Sequence, residues 1–218
     1  MSWLQRNLDF VLGLMREHLA LALIPVLLGL VISIPLGWVA SRNRYSRAAL
    51  ITITGVLYTI PSLALIVILP VLLGTQILDP INVVVALTIY TVALLVRSVA
   101  DALAAVPKAS VAAATAMGYR PLRRFLAVEL PLSVPVVVAG LRVAAVSNTS
   151  LVTVGALVGV GGLGQLFTEG FQRDIPPEII TGIVLVMVLA LLIDGLLLLV
   201  GRVLTPWDRV GTGAGRTS

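Results

Sequence analysis

The chain has 218 residues, of which 59% are hydrophobic and 11% charged, and its formal net charge is +5. Since soluble domains carry about a quarter charged residues, this composition excludes a soluble domain and indicates an all-α integral membrane protein. The lack of cysteine excludes a disulfide framework and a thiol nucleophile, and the single histidine, His18, has no metal-ligand neighbours, so no metal site is predicted.

Five continuous apolar runs predict five transmembrane helices. At about 1.5 Å per residue the first is long enough to cross a hydrocarbon layer of about 30 Å. The predicted spans are residues 19–40, 49–73, 81–96, 132–151 and 178–203. Residues 1–18 are amphipathic and predict an N-terminal helix lying at the membrane interface. Residues 208–218 are predicted to be a flexible cytoplasmic tail.

Two clusters of polar residues interrupt the spans. The second span is broken from Thr59 to Ser62, and the fourth carries Ser147 to Ser150. Polar groups at a helix break can line a water-filled path, but they can equally form hydrogen bonds between helices. Aromatic rings can also receive a cationic solute. The candidate pathway residues are Tyr58, Pro61, Ser62, Tyr90, Arg142 and Asn148.

Residues 108–131, here called the elbow, form a basic segment between the third and fourth spans. An alanine-rich helix is expected first, Gly118 ends it, and Pro121 starts a second short helix. One interpretation is a docking surface for a partner. The alternative is an ordinary loop whose arginines only fix the topology.

Charged residues inside the apolar runs are costly, so each should face protein or water. Arg142 and Asp194 lie at similar depths and are predicted either to form a structural ion pair or to leave Arg142 lining the pathway. Glu129 is expected to pair with Arg123 or Arg124 near the cytoplasmic interface.

A glycine-rich segment, residues 155–165, follows the fourth span. It has no following Lys-Ser/Thr and is predicted on the outer side, which is the wrong side for a nucleotide. A re-entrant or interfacial turn is favoured over a ligand loop.

The arginines predict the orientation of the chain. The loop between the first two spans, the elbow and the end of the fifth span are rich in arginine. By the positive-inside rule these segments are cytoplasmic, which places the N-terminus outside and the C-terminus inside. The positive charge is thereby explained by topology and lipid, and no nucleic acid partner is expected.

The spacing within the elbow resembles a known signature. The segment reads Ala112-Ala113-Ala114, with three residues before Gly118 and nine more before Val128-Glu129-Leu130-Pro131. This spacing matches the cytoplasmic signature of permease subunits of ATP-binding-cassette importers. The chain is similar to the methionine and glycine betaine type. Further stretches of the chain resemble the osmoprotectant branch of this family. They are Tyr58–Leu65, Val128–Leu132, Ala139–Val143, Gly159–Gly164 and Leu204–Pro206.

This resemblance implies a type I importer permease fold of five transmembrane helices plus cytoplasmic coupling helices, in a bacterial-type plasma (inner) membrane. It also implies a role in ATPase coupling for residues Ala112, Ala113, Ala114, Gly118, Arg120, Arg123, Arg124, Leu130 and Pro131. Ala112 stands where the family usually has Glu, which suggests either simple tolerance or a heterodimer whose partner subunit has the stronger elbow.

The implied function is import of quaternary-ammonium osmoprotectants (glycine betaine, choline, carnitine) by alternating access, with a methionine or sulfonate importer as the alternative. The chain has no Walker-type motif, so ATP and Mg²⁺ are expected on a separate ATPase dimer, and the chain itself is not expected to be an enzyme. A second permease subunit, identical or a paralogue, and an extracytoplasmic solute-binding protein complete the implied partners. No catalytic constellation favours a membrane enzyme, and no filter-like repeat favours a channel.

Overall fold

The computed structural model describes residues 2–207, and every regular element within that range is helical. The predicted tail, residues 208–218, lies outside the described residues. The α-helices are α1 (Ser2–Arg6), α2 (Leu8–Arg42), α3 (Arg44–Thr59), α4 (Ser62–Leu73), α5 (Pro80–Ala104), α6 (Lys108–Ala116), α7 (Pro121–Arg124), α8 (Leu130–Gly155), α9 (Gln165–Gln172) and α10 (Pro176–Leu204). A π-helix, Phe125–Glu129, joins α7 to α8, and a 3₁₀ turn, Ala156–Val158, follows α8.

Four helical segments are long and apolar enough to cross a membrane. They are Leu8–Arg42, Pro80–Ala104, Pro121–Val158 and Pro176–Leu204. The pair α3 and α4 passes the same test together but is bent by 98°, so it is a fifth, broken span or a re-entrant pair. The all-α membrane fold expected from composition is therefore confirmed.

Helix α2 corrects the predicted separation of an interfacial helix, 1–18, from a first span, 19–40. It runs without a break over 35 residues, through Pro25 and Pro35. Part of its apolar face supports tertiary packing, since Val11 and Leu14 are 2% and 5% exposed and pack in a cluster with Leu163. Leu8 and Phe10 of the same stretch stay 51% and 40% exposed, so the protein covers only part of the apolar stripe.

The break between α3 and α4 falls where Thr59 to Ser62 predicted it. Pro61 cannot donate a backbone hydrogen bond, and the residue before a proline is disfavoured in helical geometry. Ile60 accordingly adopts an extended conformation, with φ −65° and ψ 128°. The two helices on either side are consequently free to diverge.

Helix α5 is the centre of the bundle and packs against α2, α3, α4 and α8. It begins at a well-formed cap, since the Asp79 carboxylate accepts from the Ile81 N–H at 2.9 Å and Pro80 occupies the first turn. Gly37 of α2 faces Val99 of α5 so closely that an added Cβ would lie 2.5 Å from the valine Cγ1. Small residues thus bring the two helices into close contact.

Two helices continue beyond the apolar runs that predicted the spans. Helix α5 extends to Ala104, eight residues past the predicted end at Val96. The second elbow helix runs into the fourth span, because Pro121–Val158 is continuous through the π-helix. Polar residues at the ends of these spans remain helical, since a helix end that emerges from lipid can continue in water.

Candidate functional site

The elbow has a rigid turn at its centre. Gly118 has φ +81°, which side chains other than glycine rarely adopt. The N–H of Tyr119 donates to the Ala114 carbonyl at 3.1 Å, and the N–H of Gly118 to the Thr115 carbonyl at 3.0 Å. This pair of bonds is a Schellman motif, which ends α6 and turns the chain towards Pro121. The helix–Gly–helix pattern read from the sequence is therefore present.

The alanines predicted to dock on a partner do not all face outwards. Ala112 and Ala113 are exposed, but Ala114 is 1% exposed and packs inside the chain. The assignment of Ala114 to a docking surface is therefore wrong, because three consecutive helical residues cannot share one face. Leu130 and Pro131 are half-buried at the start of α8 and belong to the base of the elbow.

The three elbow arginines have different surroundings. Arg120 is exposed, and the guanidinium of Arg123 lies 4.9 Å from the centre of the Tyr119 ring. Arg124 turns inwards, donating from Nε to the Glu129 carboxylate at 2.6 Å and from Nη1 to the Thr115 hydroxyl at 2.9 Å. The expected pairing of Glu129 with Arg123 or Arg124 is thus found with Arg124. That arginine braces the elbow internally and is not free to dock on a partner.

The base of the elbow is held by an aromatic contact. Phe125, the first residue of the π-helix, is 4% exposed and stacks on Trp38 of α2 with ring centres 4.9 Å apart. Trp38 also contacts Arg42, whose guanidinium lies 4.3 Å from the ring centre. The elbow is therefore connected directly to two membrane helices, α8 through the chain and α2 through this stack.

We expect replacement of Arg124 by leucine to loosen the elbow. Glu129 is only 12% exposed, so its carboxylate would lose its ion-pair partner in a partly buried position, at a cost of about 1–3 kcal/mol. Amide hydrogen exchange over α6 should become faster, while exchange over α5 stays unchanged. Arg120→Leu is the matched control, because Arg120 is exposed, and equal exchange in the two variants would contradict the bracing role.

Sequence reasoning missed two apolar side chains on the elbow surface. Met117 is 70% exposed and Leu122 is 57% exposed, on either side of Gly118. Methionine adapts to irregular surfaces, and exposed apolar groups beside a rigid turn are typical of a contact surface. The signal that could have found them was their position, since both adjoin the turn that the sequence did predict.

Charged side chains from separate segments meet at one end of the bundle. Arg47 at the start of α3 forms an ion pair with Asp101 near the end of α5. Arg97 lies 3.8 Å from the same carboxylate. Arg42, stacked on Trp38, belongs to the same end. The arginines of the first loop and those near the elbow are therefore on one side of the molecule.

The candidate pathway residues at the broken span fall into two groups. Tyr58 is 46% exposed, Pro61 is exposed and Ser62 is half-buried. Tyr90 is 4% exposed; its hydroxyl donates to the Ile60 carbonyl, and its ring meets Tyr58 edge-on at 5.7 Å. Tyr90 therefore holds the break in place and does not line an open path, which corrects its assignment.

Asn148 is likewise buried, with 0% exposure. Its amide donates to the Thr91 hydroxyl at 2.8 Å, which joins α8 to α5, and its Oδ1 has no partner among the described residues. The assignment of Asn148 to the pathway is wrong for this conformation. Asn148 instead forms a hydrogen bond between helices, which was the alternative expectation for the polar residues of this span.

Arg142 and Asp194 lie side by side. Arg142 Nε donates to Asp194 Oδ1 at 2.8 Å, and Nη2 donates to Oδ2 at 2.7 Å. Two parallel bonds of this kind fix both side chains in one plane. The contact therefore joins α8 to α10, and it leaves about a third of each side chain exposed.

The glycine-rich segment is held by the N-terminal half of α2. The Glu17 carboxylate accepts from the Gly162 N–H at 3.2 Å, and His18 Nδ1 accepts from the Leu163 N–H at 3.2 Å. His18 Nε2 lies 3.0 Å from the Thr149 carbonyl. These three contacts, here called the clasp, join α2, α8 and the glycine-rich segment. Within residues 2–207 no group of three or more His, Asp or Glu side chains is placed to hold a metal ion.

Comparisons with known proteins agree on one family. The model of the family described as "Binding-protein-dependent transport system inner membrane component" matches residues 20–205. The choline transport system permease protein OpuBB of Bacillus subtilis is 33% identical over 94% of this chain and 93% of its own length. The glycine betaine/carnitine/choline transport system permease protein OpuCB of the same organism is 32% identical over 94% of each chain. A solved structure of the MetNI methionine ABC transporter in an inward facing conformation superposes with a TM-score of 0.78 and 25% identity, covering 89% of this chain and 96% of that chain.

Proposed function

The chain belongs to the family of binding-protein-dependent transport system inner membrane components, and from this premise we propose that it is the permease subunit of an ATP-driven importer for quaternary-ammonium osmoprotectants. The elbow is the observation that carries this proposal. Its rigid turn at Gly118, its exposed Ala112 and Ala113, and its base on two membrane helices suit a lever that passes on the movement of a cytosolic partner.

The solute class is supported by the curated relatives. OpuBB and OpuCB are named for choline and for glycine betaine, carnitine and choline, and each aligns with nearly the whole chain. The MetNI structure, at 25% identity, supports the type I importer fold. Its solute is a weaker guide, because the relatives with higher identity carry quaternary ammonium compounds.

ATP hydrolysis is assigned to a separate subunit. The chain has no Walker-type motif that could cradle phosphates, so ATP and Mg²⁺ belong to an ATPase dimer on which the elbow docks. Ala112, Ala113, Arg120 and Arg123 supply the contact surface, and Met117 and Leu122 extend it. Ala112 offers no charge where the family usually has Glu, so apolar contact takes a larger share of the docking free energy.

The orientation proposed is N-terminus outside and C-terminus in the cytoplasm. Arg42, Arg47 and Arg97 lie at the same end of the bundle as the elbow. An excess of arginine marks the cytoplasmic side of membrane proteins. The glycine-rich segment, at the other end of α8, then lies on the extracytoplasmic side, where a solute-binding protein would dock.

A second permease subunit is part of the proposal. The described residues form one bundle in which the exposed faces of α8 and α10 are not covered by the chain itself. Five spans enclose half a pathway at best, so we propose a pair of permeases, either two copies or this chain with a paralogue.

Transport by the assembled importer tests this proposal. We expect proteoliposomes containing the permease, its ATPase and its binding protein to accumulate glycine betaine, choline or carnitine, and only with ATP inside. Uptake should require the binding protein, and vesicles without the permease are the control. Uptake of methionine but of no quaternary ammonium compound would contradict the osmoprotectant assignment, and uptake without ATP would contradict the importer.

A further inference from the structure

The Arg142–Asp194 pair lies deep within the candidate spans. Arg142 is twelve residues after the start of α8 and thirteen before its end, which places it midway along the helix. Asp194 is eighteen residues after the start of α10 and ten before its end. Neither charge is near enough to a helix end to reach the membrane surface easily, so the surroundings must stabilise the pair where it is.

The ion pair leaves part of each charged side chain exposed. The side chains are 32% and 30% exposed. A charged group at the centre of a span costs about 2.5–3.5 kcal/mol on insertion scales, so the exposed parts must face water or protein and not lipid. The pair therefore marks a face of the bundle that is not lipid-exposed in the working transporter.

This face carries a groove. A cavity of about 370 Å³ opens beside the pair and reaches Ser147. A second cavity, of about 160 Å³, shares Ala139 and Arg142 with the first and continues to Arg202 and Thr205, at the end of α10. The groove thus leads from the middle of the bundle to the end at which we place the cytoplasm, with Arg142 at its midpoint. The larger cavity falls within the range of about 300–1,000 Å³ that is usual for small-molecule sites.

Arg142 has hydrogen-bonding capacity to spare. A guanidinium has five N–H donors, and two of them go to Asp194. Among the described residues the structure gives this guanidinium no other acceptor. The remaining donors suit a carboxylate, and the neighbouring Asp194 offers a negative group to a cation. The pair is complementary to a zwitterion, whereas a quaternary ammonium alcohol could use only the Asp194 side.

We propose that Arg142 and Asp194 form a station on the translocation path that recognises the carboxylate of a zwitterionic solute. The proposal rests on the proposed function and narrows its solute class to carboxylated quaternary ammonium compounds over choline. The alternative is that the second permease subunit packs directly on the pair and leaves no room for solute, and the tests below separate the two.

Cysteine accessibility tests whether the groove carries water and solute. The chain has no cysteine, so Ser147→Cys gives a single thiol in the groove of the assembled importer. Leu192→Cys is the control, because Leu192 is 64% exposed and lies on the side of α10 away from Asp194. We expect a water-soluble, membrane-impermeant thiol reagent to modify Ser147→Cys and not Leu192→Cys, and glycine betaine to slow that modification severalfold more than choline does. Failure of the reagent to modify Ser147→Cys would indicate that protein covers this face, and modification without protection by glycine betaine would show that the groove carries water but no solute. Either result would overturn the station.

Transport by a charge-free pair tests the specificity. The double variant Arg142→Gln with Asp194→Asn removes both charges but keeps groups that can hydrogen-bond to each other. We expect the ratio of glycine betaine uptake to choline uptake to fall at least about tenfold, which corresponds to 1.4 kcal/mol of lost discrimination. A purely structural pair would lower uptake of both solutes together and leave the ratio unchanged, which would overturn the station.

A second variant keeps the test decisive if the charge-free pair fails to assemble. Arg142→Lys keeps the ion pair but loses the planar fork that holds two carboxylates at once. The station predicts a lower betaine-to-choline ratio for this variant, and a structural role predicts an unchanged ratio.

Wild-type importer that takes up no quaternary ammonium compound would refute the proposed function. Wild-type importer that takes up choline but not glycine betaine would refute the station alone.

Discussion

Replacing Ala113 with tryptophan should uncouple the importer while leaving the permease folded. Ala113 is exposed on α6, and its small side chain allows the helix to approach a partner closely. A tryptophan there would hold the helix away from a fitted groove, because packed interfaces do not accommodate a large added group without strain. We expect ATP-driven uptake to fall at least about tenfold, equivalent to 1.4 kcal/mol or more of lost docking free energy. Less ATPase should co-purify with the permease.

The matched control for this variant is Ala104→Trp. Ala104 is also an exposed alanine near a helix end, but it belongs to α5 and not to the elbow. Its replacement should leave co-purification and uptake close to wild type. Full activity of the Ala113→Trp importer would contradict docking and favour the alternative that the elbow only fixes topology. Equal losses in both variants would show a general intolerance of bulk at this end of the bundle.

Features with a local cause were predicted well from the sequence. Gly118 and Pro61 act within their own few residues, one by allowing a left-handed conformation and the other by removing a donor. The turn in the elbow and the break between α3 and α4 accordingly lie where the sequence indicated. The matching of Ala113, Gly118 and Pro131 to a family signature added the fold, which local signals alone would not have given.

Features that depend on contacts between distant segments were predicted poorly. A polar residue in an apolar run indicates that it needs a partner, but not which one. Tyr90 and Asn148 were therefore assigned to a pathway, while the structure pairs them with Ile60 and Thr91. Arg142 and Asp194 were matched more successfully because both are charged and their depths agree. Depth along a helix can be counted from the sequence, whereas the direction in which a side chain faces depends on its neighbours.

The clasp is the clearest case of a site that the sequence concealed. The sequence gives His18 no metal-ligand neighbours, and its position in an amphipathic stretch predicts the membrane interface. In the structure it is 0% exposed and contacts a segment 145 residues further along the chain. Only the three-dimensional arrangement reveals that the glycine-rich segment depends on α2 for its position.

Replacing His18 with leucine should destabilise the permease strongly. The backbone N–H of Leu163 can only donate, so His18 Nδ1 must accept, and Nε2 therefore carries the proton that bonds to the Thr149 carbonyl. Leucine fills most of the volume but offers neither group. The Leu163 N–H would then be buried without an acceptor, at a cost of about 1–3 kcal/mol. For a chain of this size we expect the Tm to fall by about 2–4 °C for each kcal/mol lost.

Two measurements distinguish this effect from a general loss of packing. The amides of Gly162 and Leu163 should exchange faster with solvent in His18→Leu, because the clasp holds both of them. Glu17→Gln should have little effect, since an amide oxygen can still accept from Gly162. Leu27→Ala serves as the control on the same helix, because Leu27 is 62% exposed and makes no part of the clasp.

Loss of the clasp is also expected to affect transport. The glycine-rich segment lies at the opposite end of α8 from the elbow, and His18 bonds to α8 itself through Thr149. If α8 moves as a rigid body between the elbow and this end, loosening the clasp should lower uptake more than it lowers ATPase binding, because the elbow stays intact. An unchanged Tm together with unchanged exchange at Leu163 would refute the stabilising role. Equal losses of uptake and ATPase binding would indicate that the change at the clasp also disturbs the elbow.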